Sequence, residues 1–135
     1  MINNKKIKKA QGRILLAEDD KFISRAYKDG LERAGFEVII ASDGVEAVNK
    51  IKSEALDLIL LDLIMPIKNG FEVLSEIKMM DHDLKKISVV ILSNLGQDSD
   101  VEKGKALGAV DYLIKTDFSM KEVIEKVKFY IAKKK

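Results

Sequence analysis

The sequence predicts an α/β fold: a doubly wound, five-stranded parallel sheet with about five helices on its two faces. Three observations predict it. Short apolar runs alternate with stretches of helical spacing along the whole chain, which favours an open sheet with right-handed crossovers. The runs are rich in Ile, Val and Leu and mostly do not alternate with polar residues, as expected of strands buried on both faces. At 135 residues the chain is too short for a closed eight-fold barrel, which needs ~250.

The expected strands are ILLA (14–17), FEVIIA (36–41), LILL (58–61), VVIL (89–92) and YLI (112–114). A first helix is expected on Phe22, Ala26, Tyr27, Leu31 and Ala34, stopped by Gly35. Val45, Val48 and Ile51 mark a second, and Phe71, Leu74 and Ile77 a third. Ser99 with Glu102 reads as a capping box opening a fourth, carrying Val101 and Leu107. Ser119 with Glu122 opens a fifth through Val123, Ile124, Val127 and Ile131.

Composition excludes several function classes. There are no cysteines, so no disulfide framework, thiolate metal site or thiol redox centre exists, and a reducing, cytoplasmic setting is expected. No apolar run approaches the ~20 residues of a membrane helix, and the four-residue apolar run near the start is not a secretory signal. The formal net charge of +2 conceals a division. Residues 1–12 form a basic tail, residues 133–135 are three lysines, and positions 14–132 hold 16 bases against 22 acids. An acidic body is a poor nucleic-acid surface, since phosphate contacts supply most non-specific affinity.

The polar residues at the ends of the apolar runs carry the chemistry. Run one ends in Glu18, Asp19 and Asp20, run three in Asp62, run four in Ser93 and run five in Lys115. In open α/β sheets the ligand crevice lies beyond the carboxyl ends of the strands, where strand order reverses. A flavodoxin-like order, 2-1-3-4-5, makes runs one and three neighbours at that reversal, so their acids share one pocket. Two carboxylates ~5 Å apart repel by roughly 3 kcal/mol at an effective dielectric of ~20. Such a group holds a cation or a proton. Oxygen donors without His or Cys suit Mg2+, Mn2+ or Ca2+ rather than Zn2+, and a few carboxylates beside a phosphate suit Mg2+ best. A metal, an ammonium and a hydroxyl around one carboxylate make a receptor for a phosphoryl group, with the Asp as nucleophile.

The pieces ILLAEDD, LILLDLIMPIKNGFEVL, VVILSN and GAVDYLIK, in that order and spacing, resemble the receiver domain of two-component response regulators of the chemotaxis single-domain type. The resemblance covers residues 13–132. It implies a stand-alone phosphorylation switch rather than a turnover enzyme, a phosphoprotein of phosphorelay signalling. In that likeness Asp62 is the phosphoacceptor. Glu18 and Asp19 are the Mg2+ pair, with Asp19 the direct ligand, and the Ile64 carbonyl is the main-chain ligand. Ser93 is the switch hydroxyl, Lys115 pairs with a phosphoryl oxygen, Tyr112 turns inward with the hydroxyl, and Gly70 is the turn glycine after the Met-Pro loop. The implied donor is a histidine kinase or a His phosphotransfer protein. Residues 98–132 would bind a downstream protein, from a monomer or a phosphorylation-dependent dimer.

Plainer roles stand beside these. Asp20 suits a helix cap better than a metal ligand. Tyr112 suits half-buried packing, Ser93 a turn, and His82 a solvated loop. Four positions depart from the family pattern in three ways. Thr116 follows the lysine where proline is usual, Asn94 follows the hydroxyl where a small residue is usual, and Ile64 and Leu95 place apolar groups two residues past the nucleophile and the hydroxyl. The last pair predicts slow self-dephosphorylation. The departures also leave room for a phosphate-independent interaction module with a relict site. A Mg2+-dependent phosphatase is disfavoured because Ile64 stands where such enzymes carry a second Asp. Nucleic-acid binding through the tails is disfavoured by the acidic body.

Overall fold

The structure, a computed structural model, describes residues 10–133. Five strands, β1 (Arg13–Ala17), β2 (Glu37–Ala41), β3 (Leu58–Leu61), β4 (Ser88–Ser93) and β5 (Asp111–Ile114), form one parallel sheet in the order β2-β1-β3-β4-β5. Six helices connect them: α1 (Lys21–Arg33), α2 (Gly44–Ser53), α3 (Gly70–Lys78), the one-turn α4 (His82–Lys85), α5 (Asp98–Ala106) and α6 (Met120–Lys133). A 3-10 turn at Lys115–Asp117 leads into α6.

The period of two along each strand divides the core into two layers. Ile14, Leu16, Leu58, Leu60, Val90 and Leu92 pack with Leu31 of α1 and with Val123, Val127 and Ile131 of α6. Leu15, Ile59, Leu61, Val89 and Ile91 point the other way, toward Val48 and Ile51 of α2 and Leu74 and Ile77 of α3. β1, β3 and β4 are buried almost throughout, whereas the edge strands β2 and β5 are buried only in part. That is why the central apolar runs lack alternation.

Three local expectations are corrected. Phe22 is 89% exposed and Ala26 is also exposed; α1 instead turns Ser24, Tyr27 and Leu31 inward. Phe22 stands nine positions before Leu31, about two and a half turns, so it lies on the opposite side of the helix. α5 is capped at Gln97 rather than Ser99, and the Asp100 carboxylate accepts from the Gln97 N–H at 3.3 Å. Starting there puts Asp98 and Asp100 in the first turn, where the helix dipole favours acids. His82 is exposed as expected but sits on the one-turn α4.

The remaining punctuation holds. Asp20 caps α1, its carboxylate accepting from the N–H groups of Phe22 (2.9 Å) and Ile23 (3.0 Å). Gly35 follows α1 with φ +102, a left-handed turn that a side chain would strain. Ser119 and Glu122 exchange their capping-box bonds at 3.1 and 2.9 Å. Most of the basic N-terminal tail (1–9) and the last two lysines lie outside the described residues. Gln11 donates its backbone N–H to the Gly35 carbonyl at 2.8 Å. Among the described residues no helix is long and apolar enough to cross a membrane.

Candidate functional site

The carboxyl ends of β1, β3, β4 and β5 meet at one edge of the sheet, and β1 and β3 flank the point where strand order reverses. The chain carries Glu18 and Asp19 straight off β1, Asp62 off β3 and Lys115 off β5, while Ser93 is the last residue of β4. The ladder runs on past β3: the Asp62 N–H donates to the Ala17 carbonyl at 3.0 Å, which fixes the backbone of the loop at its start.

Asp62 is the centre of the arrangement. It is 6% exposed, and its carboxylate is fully engaged. Oδ1 accepts from the Ser93 hydroxyl at 2.7 Å and from the Ile64 backbone N–H at 3.2 Å. Oδ2 accepts from Lys115 Nζ at 3.1 Å. The same ammonium forms an ion pair with Glu18 Oε1, and Glu18 Oε2 accepts from the Asp20 N–H at 3.0 Å. Glu18 is 3% exposed, Ser93 is fully buried, and Asp19 stands exposed at the mouth. Glu18, Asp19 and Asp62 each offer a carboxylate oxygen within 4.8 Å of the others.

The electrostatics follow from burial. Desolvation pushes the Glu18 carboxyl above its ordinary value, although Lys115 and the Asp20 amide pull the other way. For Lys115 burial works against the charge. The hydrogen bond to Glu18 and the fields of Asp62 and Glu18 overrule it, so the ammonium is held above its ordinary range. Three carboxylates against one ammonium leave the cluster net negative. With only hard oxygen donors and one exposed member giving access from solvent, the donor set fits Mg2+ or Mn2+.

A second row of contacts leads away from Asp62. The Ser93 hydroxyl accepts from the Leu95 N–H at 3.4 Å, and the Leu95 carbonyl accepts a hydrogen bond from the Tyr112 hydroxyl. Tyr112 is 8% exposed, and burial pushes its phenol up to about 12, helped by Asp100 and Asp62. The ring is thus already turned inward. The Lys115–Thr116 bond is trans, and the chain enters a 3-10 turn there; Lys115 still reaches both Glu18 and Asp62.

The structure thus brings Glu18, Asp19, Asp62, Ser93 and Lys115 together at this edge, while Asp20 caps α1 and His82 lies on α4 ahead of β4. Ile64 contributes its backbone N–H to Asp62, while its side chain is 54% exposed. Sequence reasoning missed a strained turn in the loop after Asp62. Ile67 has φ 70, and the Lys68 N–H donates to the Pro66 carbonyl at 2.7 Å, closing a γ-turn. A β-branched residue gives no local signal for that conformation. Gly70 then opens α3 against the same loop, where a Cβ would lie 2.4 Å from the Asp62 carbonyl oxygen.

This strand order, with acids, hydroxyl and ammonium at its switch point, defines a flavodoxin-like α/β domain with a candidate cation site. The chain belongs to the response regulator receiver domain family, whose model matches residues 14–128. It is 38% identical over 118 residues to the alkaline phosphatase synthesis transcriptional regulatory protein PhoP of Bacillus subtilis, covering 86% of this chain and 47% of that one. The chain thus spans about half the length of the curated relatives it matches. The receiver domain of the Francisella response regulator 1452 superimposes with TM-score 0.84 at 31% identity, covering 92% of this chain and 99% of that one. The Mn2+-bound form of response regulator Rcp1 gives 0.73 at 35%, covering 87% and 90%. Receiver domains of two-component systems are phosphorylation switches that work with histidine kinases or phosphotransfer proteins, not turnover enzymes.

Proposed function

We propose that this chain takes a phosphoryl group onto Asp62 from a phosphohistidine donor, a histidine kinase or a His phosphotransfer protein. The observation that carries the reading is the convergence of Ser93, Lys115 and the Ile64 N–H on the two oxygens of one buried carboxylate. The Asp62 oxygen attacks phosphorus in line as the imidazole nitrogen leaves. Lys115 and Ser93, already within hydrogen-bond distance, move from the free carboxylate to the oxygens of the transferred group. The Ile64 N–H holds the ester end in place.

Asp19, Glu18 and Asp62, with the Ile64 carbonyl, are the proposed Mg2+ ligands, Glu18 acting mainly through water. Their spacing and oxygen chemistry support this, as does the Mn2+-bound relative. A bound Mg2+ neutralises charge on the transferring phosphoryl oxygens.

The output is a population shift. When Ser93 turns toward the phosphoryl group, its hydrogen bond from Leu95 is strained, and the Leu95–Tyr112 contact passes the change to β5 and α5. We assign residues 98–132, from α5 through β5 to α6, as the face that binds a downstream protein or a second copy. The apolar side chains of Ile64 and Leu95 offer no polar group to orient a hydrolytic water, so self-dephosphorylation is slow. The absence of cysteine suits a cytoplasmic setting.

Incubation with acetyl phosphate and Mg2+, followed by intact mass, tests the assignment. The wild-type chain gains one phosphoryl mass that survives for minutes after removal of the donor, and Asp62→Asn gains none. Labelling retained in Asp62→Asn overturns the phosphoacceptor, and an unlabelled wild-type chain returns the site to a phosphate-independent role.

A further inference from the structure

Asn69 and Gly70 form a labile pair. In an asparagine–glycine sequence the missing Cβ leaves the glycine nitrogen free to reach the asparagine carboxamide. The nitrogen loses its proton and bonds to Cγ, ammonia leaves, and a five-membered succinimide closes. Water then opens the ring. Cleavage at the side-chain carbonyl gives aspartate, and cleavage at the backbone carbonyl gives isoaspartate, whose main chain runs through an added carbon.

The fold blocks each part of that approach. The Gly70 N–H, whose nitrogen must attack, donates to the Leu63 carbonyl at 3.0 Å, and Gly70 is buried. The Asn69 carboxamide oxygen accepts from the Glu72 N–H at 2.9 Å as the N-cap of α3. The Glu72 carboxylate accepts from the Asn69 N–H at 2.9 Å, so the residue is held from both sides. Asn69 is otherwise exposed, so nothing but this loop conformation protects it.

We propose that Asn69 is a latent deamidation site, held closed by the β3–α3 loop, whose isoaspartyl product disables the switch. The two products differ for a structural reason. Aspartate at position 69 keeps an oxygen on the Glu72 N–H and adds a negative charge at a helix N-terminus, where it is favoured. Isoaspartate lengthens the backbone where Gly70 has no room. A Cβ there would already lie 2.4 Å from the Asp62 carbonyl oxygen and 2.7 Å from Leu63 Cα. The added carbon, inserted between residue 69 and the Gly70 nitrogen, shifts Gly70 from its close seat on Asp62 and Leu63 and breaks its hydrogen bond to the Leu63 carbonyl. Loss of labelling rests on the phosphoacceptor reading of Asp62; the rate of deamidation does not.

The test ages the protein in mildly alkaline buffer, folded or in denaturing urea, and follows residue 69 by peptide mass mapping. The aspartyl and isoaspartyl forms from the urea sample are separated and returned to native buffer beside fresh protein taken through the same cycle. Folded protein is expected to deamidate on the order of tenfold more slowly or less, since reaction requires local opening. The aspartyl form labels with acetyl phosphate and Mg2+ like fresh protein. The isoaspartyl form does not, and it unfolds at lower urea. Equal rates in the two states overturn the protection. An isoaspartyl form with the labelling and unfolding midpoint of the aspartyl form overturns the consequence. If fresh protein takes no label, the phosphoacceptor reading fails, and the inference then stands or falls on the rates and midpoints. Asn69→Ser, which has no side-chain carbonyl to close a succinimide and still suits the N-cap of α3, labels and keeps its labelling throughout ageing.

Discussion

Replacing Asp62 by Asn changes one charge and almost no volume, so its effect on stability can be worked from the site. Without metal, Asp62 faces two carboxylates within 4.8 Å and one ammonium at 3.1 Å. At an effective dielectric of ~20 each carboxylate repels it by about 3 kcal/mol, and Lys115 attracts it by about 5 kcal/mol. The difference is an unfavourable ~1–2 kcal/mol, reduced where the exposed Asp19 is screened and increased by the burial of Asp62 itself. The amide keeps an oxygen for Ser93 and the Ile64 N–H, and Lys115 keeps Glu18. Asp62→Asn is therefore expected to stabilise the metal-free protein by about 1–2 kcal/mol, which at a urea slope of ~1–3 kcal/mol/M moves the midpoint up by about 1 M. Mg2+ acts the other way on the difference. A cation at about one hundred times its Kd adds ~2.7 kcal/mol to the wild type, and far less to a variant lacking one of three carboxylates. Urea titrations followed by circular dichroism, in EDTA and in Mg2+, read both effects. A lower midpoint for Asp62→Asn in EDTA, together with a wild type that ignores Mg2+, would refute the account of a strained anionic cluster.

Three further outcomes are expected. Lys115→Met leaves Glu18 and Asp62 without their buried counter-charge and costs about 3 kcal/mol in EDTA; Mg2+ should narrow the gap, and a gap that persists unchanged argues against shared occupancy by ammonium and metal. Ile67→Gly removes a left-handed β-branched residue costing ~1–2 kcal/mol, partly offset by the freer unfolded chain, so the midpoint should rise by the equivalent of about 0.5–1 kcal/mol; a fall means the side chain is held by packing. Burial alone would raise the Asp111 carboxyl, but hydrogen bonds from the Tyr130 hydroxyl and the Tyr112 N–H, with Lys126, hold it below its ordinary value. A lowered carboxyl stabilises the fold above the unfolded value of ~3.9 and loses that contribution as pH falls through the folded value. Asp111→Asn should thus be less stable than wild type at neutral pH and converge on it below about pH 4; a constant difference across that range counts against the pairing.

The candidate site was legible because its side chains sit where buried strands end. An apolar run that stops at Glu18 or Asp62 marks both the end of a strand and the polar group it delivers. Their meeting depended on the strand order, which the alternation suggested and the registers of β1, β3 and β4 display. What misled was local. Phe22 fits a helical spacing as well as Leu31 does, and only the direction from which the sheet approaches α1 decides which of them is buried. Ser99 is a better cap than Gln97 by propensity, yet the chain enters α5 two residues earlier.

By itself, the sequence determined the strands, the acids, hydroxyl and ammonium at their ends, and the caps at Asp20 and Ser119, because each follows from the chemistry of a few neighbours in the chain. The tertiary structure decided the rest. It settled which face of α1 is dry, the left-handed turn at Ile67, the trans bond and 3-10 turn after Lys115, the inward seat of Tyr112, and the ammonium shared between Glu18 and Asp62. Those depend on groups up to 97 residues apart competing for the same space and the same charge, and no local pattern records that competition.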